Sequence, residues 1–177
     1  EPLNTALSLG TGTGPLYYNR GHALMELGRY MEALESFNRS IDLNEEDFVT
    51  WYEKGNSLFR LGNFSDSLKA YNRSLELNPD NAQAAFCKGQ ASASLGDADD
   101  AVKAYDLALV LNPALSESAY FKGLALSQLH QYSDAIDAFD YNLGYCPEHA
   151  NAHYHKGIAL AELGKFKKAI KSFILAL

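Results

Sequence analysis

Between Phe48 and Asn81 apolar residues recur at helical spacings of three and four. They form one run through Trp51, Leu58 and Leu61 and another through Leu68, Tyr71, Leu75 and Leu77. This is the period of a helix with one face on a core. Gly62 stands between the runs, where a left-handed residue ends a helix. Asn63, with Asp66 three positions on, predicts a capping box that opens the second helix. Asn78 and Pro79 predict its end, because the residue before proline is pushed off helical angles. No segment shows the alternation of a strand, so the expected fold class is all-α.

The same pattern recurs along the chain. Gly21, Gly55, Gly89, Gly123 and Gly157 are each 34 positions apart. A basic residue precedes each of them: Arg20, Lys54, Lys88, Lys122 and Lys156. Leu27, Leu61, Leu95, Leu129 and Leu163 keep the period, and so do Phe37, Tyr71, Tyr105, Phe139 and Phe173. Gly28, Gly62, Gly96 and Gly164 form a further column, with His130 as its exception. Asp97 and Asp100 repeat the expected capping box, and Asn112 with Pro113 repeats the stop. A period of this length marks an array of supersecondary units.

The columns resemble the tetratricopeptide repeat, whose pattern runs W-x2-L-G-x2-Y, then A-x3-F-x2-A, then P. Counted from the first residue of a unit, Trp51 stands at position 4, Gly55 at 8, Tyr71 at 24 and Pro79 at 32. The units would be 14–47, 48–81, 82–115, 116–149 and 150–177, the last one truncated. Residues 1–13 would be the tail of a preceding repeat and a linker, so the chain reads as part of a longer array. The resemblance implies a right-handed α-solenoid of antiparallel helix pairs, with the first helix of each pair lining a concave groove.

Three columns carry structural expectations. The position-8 glycines should let the two helices of a unit approach closely. The basic residues at position 7 depart from the family pattern. They should lie along the core edge and reach acceptors at position 25, which is Asn38, Asn72, Asp106 and Asp140 in successive units. In the third unit Ala85, Ser92 and Ala98 replace Trp51, Leu58 and Phe64, so lower local stability or altered helix packing is expected around Ala82 to Asp99.

Composition narrows the function. The 177 residues carry a net charge of −7, with 47% hydrophobic and 21% charged residues. That balance argues against general nucleic-acid binding, which needs clustered cations facing phosphate. No apolar run approaches the ~18 residues of a membrane span. Cys87 and Cys146 form no CxxC pair, and two free thiols would suit a cytoplasmic location. The Gly-Thr-Gly-Thr-Gly run at 10–14 has Pro15 where a phosphate loop needs glycine, and reads as a connection. His149, His153 and His155 are the only metal hint, and His153 falls in the position-4 core column, so no metal or cofactor is expected. Three Asn-x-Ser sequons at Asn38, Asn63 and Asn72 fall in or near second helices and read as accidental. No nucleophile motif points to an enzyme.

The resemblance places the binding surface at positions 2, 5, 9, 12 and 13 of the first helices. Position 5 reads Tyr18, Tyr52, Phe86, Tyr120 and Tyr154, an aromatic stripe that could contact an extended peptide, support helix packing, or do both. Position 9 reads His22, Asn56, Gln90, Leu124 and Ile158, with Met25 and Phe59 added from position 12. Members that grip a C-terminal carboxylate use Lys at position 5, and Tyr52 replaces it here. The five units carry −4, 0, −2, −4 and +4, so charge is uneven, and the positive end reads as a solvated lysine face. The expected function is a non-catalytic protein–protein interaction scaffold that binds a protein or peptide in the groove. A recruiting or regulatory arm of a larger enzyme and a self-assembling structural module are the alternatives. Ile170, Phe173, Ile174 and Leu177 should leave an uncapped apolar end open to end-to-end self-association.

Overall fold

A computed structural model describes residues 12–177, which form ten helices and, among the described residues, no strand. The expected repeat tail at 1–13 therefore lies outside the described residues, except for Gly12 and Thr13. The chain divides into two compact units, Glu1–Asp80 and Asn81–Leu177. The first holds α1 (Gly14–Glu26), α2 (Tyr30–Leu43), α3 (Phe48–Arg60) and α4 (Phe64–Leu77). The second holds α5 (Ala82–Ser94), α6 (Ala98–Leu111), α7 (Glu117–Gln128), α8 (Tyr132–Tyr145), α9 (Ala150–Glu162) and α10 (Phe166–Leu175). Within each unit every helix packs on its successor in the chain. The fold class is all-α, built of helix pairs.

The glycine at position 8 closes each pair. A Cβ on Gly55 would stand 2.6 Å from Tyr71, and one on Gly89 would stand 2.5 Å from Tyr105. Gly21, Gly123 and Gly157 meet Phe37, Phe139 and Phe173 in the same way. So the glycine column and the aromatic column at position 24 are two halves of one contact. The tight turn inside each pair takes a left-handed residue, as at Gly62 with φ +78°, and His130 adopts it with φ 58°.

The expected capping boxes do not form. Asn63 makes no side-chain cap, and Asp66 pairs with Lys69 at 2.8 Å instead. Asp97 does accept from the Asp100 amide at 3.1 Å, but Asp100 turns outward to Lys103 at 2.7 Å. A lysine one turn on competes better for the exposed carboxylate than a backbone amide does. Side-chain caps of the same kind form at Asp47, which accepts from Val49 N, and at Asn81, which accepts from Ala84 N.

A further lock was missed in the sequence. Ser40 Oγ donates to the Gly14 carbonyl at 2.9 Å, Ser74 Oγ to that of Phe48 at 2.8 Å, and Asn142 Nδ2 to that of Ser116 at 2.9 Å. Each ties the end of a second helix to the start of its first. Ala108 occupies the equivalent place in α6 and can make no such bond. The small residues of the third pair are nonetheless fully packed, with Ala84, Ala85 and Ala91 buried. Phe121 of α7 adds a ring to this pair, 5.7 Å from Phe86 and 6.1 Å from Tyr105 between ring centroids.

Candidate interaction surface

The position-5 rings have a common support. Tyr18 rests on Phe37 and Tyr52 on Tyr71, both at 6.0 Å. Phe86 rests on Tyr105 at 5.9 Å, Tyr120 on Phe139 at 6.1 Å and Tyr154 on Phe173 at 5.9 Å. The aromatic stripe is thus the outer layer of the ring that covers each position-8 glycine. Its members differ in exposure. Phe86 is buried, Tyr18, Tyr52 and Tyr120 are half-buried, and Tyr154 is 50% exposed.

In the first unit the polar candidates are already engaged. Tyr71 donates its hydroxyl to Asn56 Oδ1 at 2.8 Å, and Asn56 Nδ2 donates to Glu53 at 3.2 Å. Both ends of that amide serve the fold. Met25 Sδ accepts from Ser57 Oγ at 3.0 Å, and Phe59 lies edge-on to Phe64 at 5.2 Å. His22 is exposed, with its ring 6.3 Å from Tyr18. Burial, then the charges of Glu53 and Asp47, hold the Tyr18 phenol above its ordinary pKa. A cleft of about 300 Å³ opens beside Tyr18, lined by Pro15, Asp47 and Val49 among others.

The second unit presents the apolar candidates. Leu124 is half-buried against the cluster of Leu126, Phe139 and Leu143, and Gln90 is half-buried. Ile158 is 37% exposed and shares the outer face of α9 with Tyr154. Beyond Tyr154 a cleft of about 540 Å³ is lined by Ala150, Ile170, Phe173, Ile174 and Leu177.

Position 6 also belongs to this layer, and its irregular column hid it. Phe121 packs on the aromatic pair of the preceding helices, and His155 does the same, 6.1 Å from Tyr120 and 6.2 Å from Phe139. Burial holds His155 below its ordinary pKa. The other candidate metal ligands turn elsewhere. His149 Nδ1 meets Asn142 Oδ1 at 2.6 Å. His153 Nε2 donates to the Pro147 carbonyl at 2.8 Å, as the Trp51 indole donates to the Glu45 carbonyl at 2.9 Å. His153 therefore stands in for the tryptophan of its column. No disulfide joins Cys87, which is buried, to Cys146, which is exposed.

The basic column splits. Lys122 pairs with Asp106 at 2.6 Å, and Lys156 pairs with Asp140, as expected for position 25. Arg20 instead donates to Ser36 Oγ at 2.5 Å, and the Lys54 ammonium stands 4.8 Å over the Trp51 ring. Asn38 carries no charge to draw Lys54 away from that ring. Burial lowers the Lys54 pKa, against the pull of Asp42 and Asp66.

Paired helices locked by glycine on an aromatic ring, repeated at a fixed period, define a helical-repeat protein. The chain belongs to the tetratricopeptide repeat family, whose models match residues 15–47 and 52–116. A model for subunit 3 of the anaphase-promoting complex, cyclosome, matches residues 94–174. No curated protein matches the chain. Among solved structures, a crystal structure of MamA shares 21% identity with a TM-score of 0.89, covering 93% of this chain and 90% of that one. MamA from Desulfovibrio magneticus RS-1, from residue 41 onward, shares 23% with a TM-score of 0.87, covering 92% of each. YrrB, described as a TPR protein with an unusual peptide-binding site, shares 19% with a TM-score of 0.86, covering 99% of this chain and 91% of that one. At these identities the likeness is one of fold. No described helix is long and apolar enough to cross a membrane.

Proposed function

We propose that this chain is a non-catalytic interaction scaffold whose first-helix faces bind a peptide or partner segment. The observation that carries the reading is the exposure of Tyr154 (50%) and Ile158 (37%) beside half-buried Tyr120 and Leu124. A solvated helix face would carry charge at these places, whereas an aromatic with a polar tip beside aliphatics suits an apolar peptide side chain and its backbone. The description of YrrB as peptide-binding agrees with this reading.

The test is calorimetry or pull-down of partners with Tyr154→Ala plus Ile158→Ser. Tyr52→Ala plus Asn56→Ala serves as a comparison that disturbs packing in the first unit. Loss of partners with the first pair, at unchanged helicity, supports the proposal. Unchanged partners remove this face from the argument.

A further inference from the structure

In the second unit the third and fourth helix pairs are each covered by the first helix that follows. On the third pair, Phe121 of α7 lies 5.7 Å from Phe86 and 6.1 Å from Tyr105. On the fourth, His155 of α9 lies 6.1 Å from Tyr120 and 6.2 Å from Phe139. Three residues before each of these rings stands a small residue, Ser118 or Ala152, and both are wholly buried. One residue after each ring stands a lysine. Lys122 pairs with Asp106 at 2.6 Å, and Lys156 pairs with Asp140. The covering helix is therefore read at three places: a small residue at position 3, a ring at 6 and a cation at 7. The cation answers the acid at position 25 of the pair it covers.

The fifth pair presents the same face, and among the described residues no helix covers it. Tyr154, Phe173 and Leu177 stand 34 positions after Tyr120, Phe139 and Leu143. Ile170 is 59% exposed, whereas Ile136, its counterpart one period earlier, is half-buried. These residues line the cleft of about 540 Å³. One place breaks the period. Position 25 holds Asn38, Asn72, Asp106 and Asp140 in the earlier pairs, but Ile174 in the fifth, where it is 63% exposed. A cation brought above Ile174 would lose water and gain no acceptor.

We infer that this end face docks an amphipathic helix of a partner protein, laid where a further first helix would lie. The helix carries a small residue, a ring three positions on and an aliphatic residue four positions on. The small residue packs toward Phe173 and Leu177, as Ala152 joins the cluster of Phe139 and Leu143. The ring lies on Tyr154 and Phe173, and the aliphatic residue meets Ile174. A second copy of this chain does not fit. Each of its first helices would bring Arg20, Lys54, Lys88, Lys122 or Lys156 to the place above Ile174, and α1 would also bring Leu16 to the place that needs a small residue.

The probe is a peptide copy of α9, Ala150–Glu162, with His155→Phe and Lys156→Leu, cross-linked to hold it helical because so short a helix is marginal in water. Calorimetry should show it binding the chain, and Ala152→Leu in the peptide should weaken it by about tenfold or more through overpacking. A peptide that keeps Lys156 should bind less tightly than the one with Lys156→Leu. Ile174→Asp in the chain should reverse that order, since it restores the acid of the third and fourth pairs, and it should leave the melting temperature unchanged. No binding of the cross-linked peptide overturns the inference, and so does an order of affinities indifferent to Ile174→Asp. A dimer of the chain in sedimentation equilibrium that Ile174→Asp abolishes would put a second copy on this face and overturn it as well. Ile174 lies outside the surface of Tyr154 and Ile158, so each of these failures is distinct from a failure of the proposed peptide surface.

Discussion

Gly89→Ala and Gly157→Ala add the same methyl group against the same kind of ring, and the two should behave differently. The new Cβ would stand 2.5 Å from Tyr105 in one case and 2.5 Å from Phe173 in the other. An ordinary contact begins near 3.4 Å, so each ring must withdraw by roughly 1 Å. Tyr105 has nowhere to go. It is 1% exposed and held between Phe86 at 5.9 Å and Phe121 at 6.1 Å. Burial also keeps its phenol well above the ordinary pKa. Phe173 is half-buried and borders the open cleft of about 540 Å³. Overpacking costs about 1–3 kcal/mol where the core cannot yield. Removing glycine from a helix interior contributes about 1 kcal/mol in the other direction. Gly89→Ala should therefore lower stability by about 1–2 kcal/mol, while Gly157→Ala should leave it unchanged or raise it slightly. Urea unfolding by circular dichroism measures the total, and amide exchange assigns it to α5 and α6 or to α9 and α10, since helical arrays open locally. Equal effects at both sites, or a gain at Gly89, would refute the account of the glycine column as a close-approach device limited by the ring behind it.

Three further outcomes are expected. Ser92 Oγ is buried without a hydrogen-bond partner among the described residues, so Ser92→Ala should raise the unfolding free energy by about 1 kcal/mol in urea titration. His130→Gly relieves a left-handed non-glycine residue at the cost of chain entropy and the 2.8 Å contact with Tyr132, and thermal melts should show a gain of about 0.5 kcal/mol. Because burial holds His155 below its ordinary value of 6.5, the unfolded chain takes up its proton first. Stability from this group is full above about pH 6.5 and is lost as pH falls toward the folded-state value, and His155→Phe, which copies Phe121, should flatten melting temperature over that window.

What was legible in the sequence followed from how strictly each place in the period is constrained. The glycine at position 8 and the ring at position 24 touch each other inside one helix pair, so neither can change alone and both stand out as columns. Position 6 reads Asn19, Glu53, Cys87, Phe121 and His155, with no column to see, and in the second unit Phe121 and His155 face the preceding pair and pack on its rings. Phe121 packs on Phe86 and Tyr105 of the third pair, whose small residues Ala85 and Ser92 are buried in the structure. Ser40, Ser74 and Asn142 escaped notice for a different reason, since a short polar residue near a helix end looks solvated until its carbonyl partner is known. The capping boxes failed because Asp66 and Asp100 each have a lysine three residues on, and an exposed carboxylate chooses the nearer charge. The site obeys the same logic. Asn56 stands in the position-9 column expected to line the groove, yet the Tyr71 hydroxyl claims it, and only in this helix pair does a tyrosine at position 24 face an asparagine at position 9. Side chains that are spoken for inside the fold cannot be told from available ones by spacing, and the proposed surface rests on Tyr154 and Ile158 because the position-5 and position-9 columns are both exposed there.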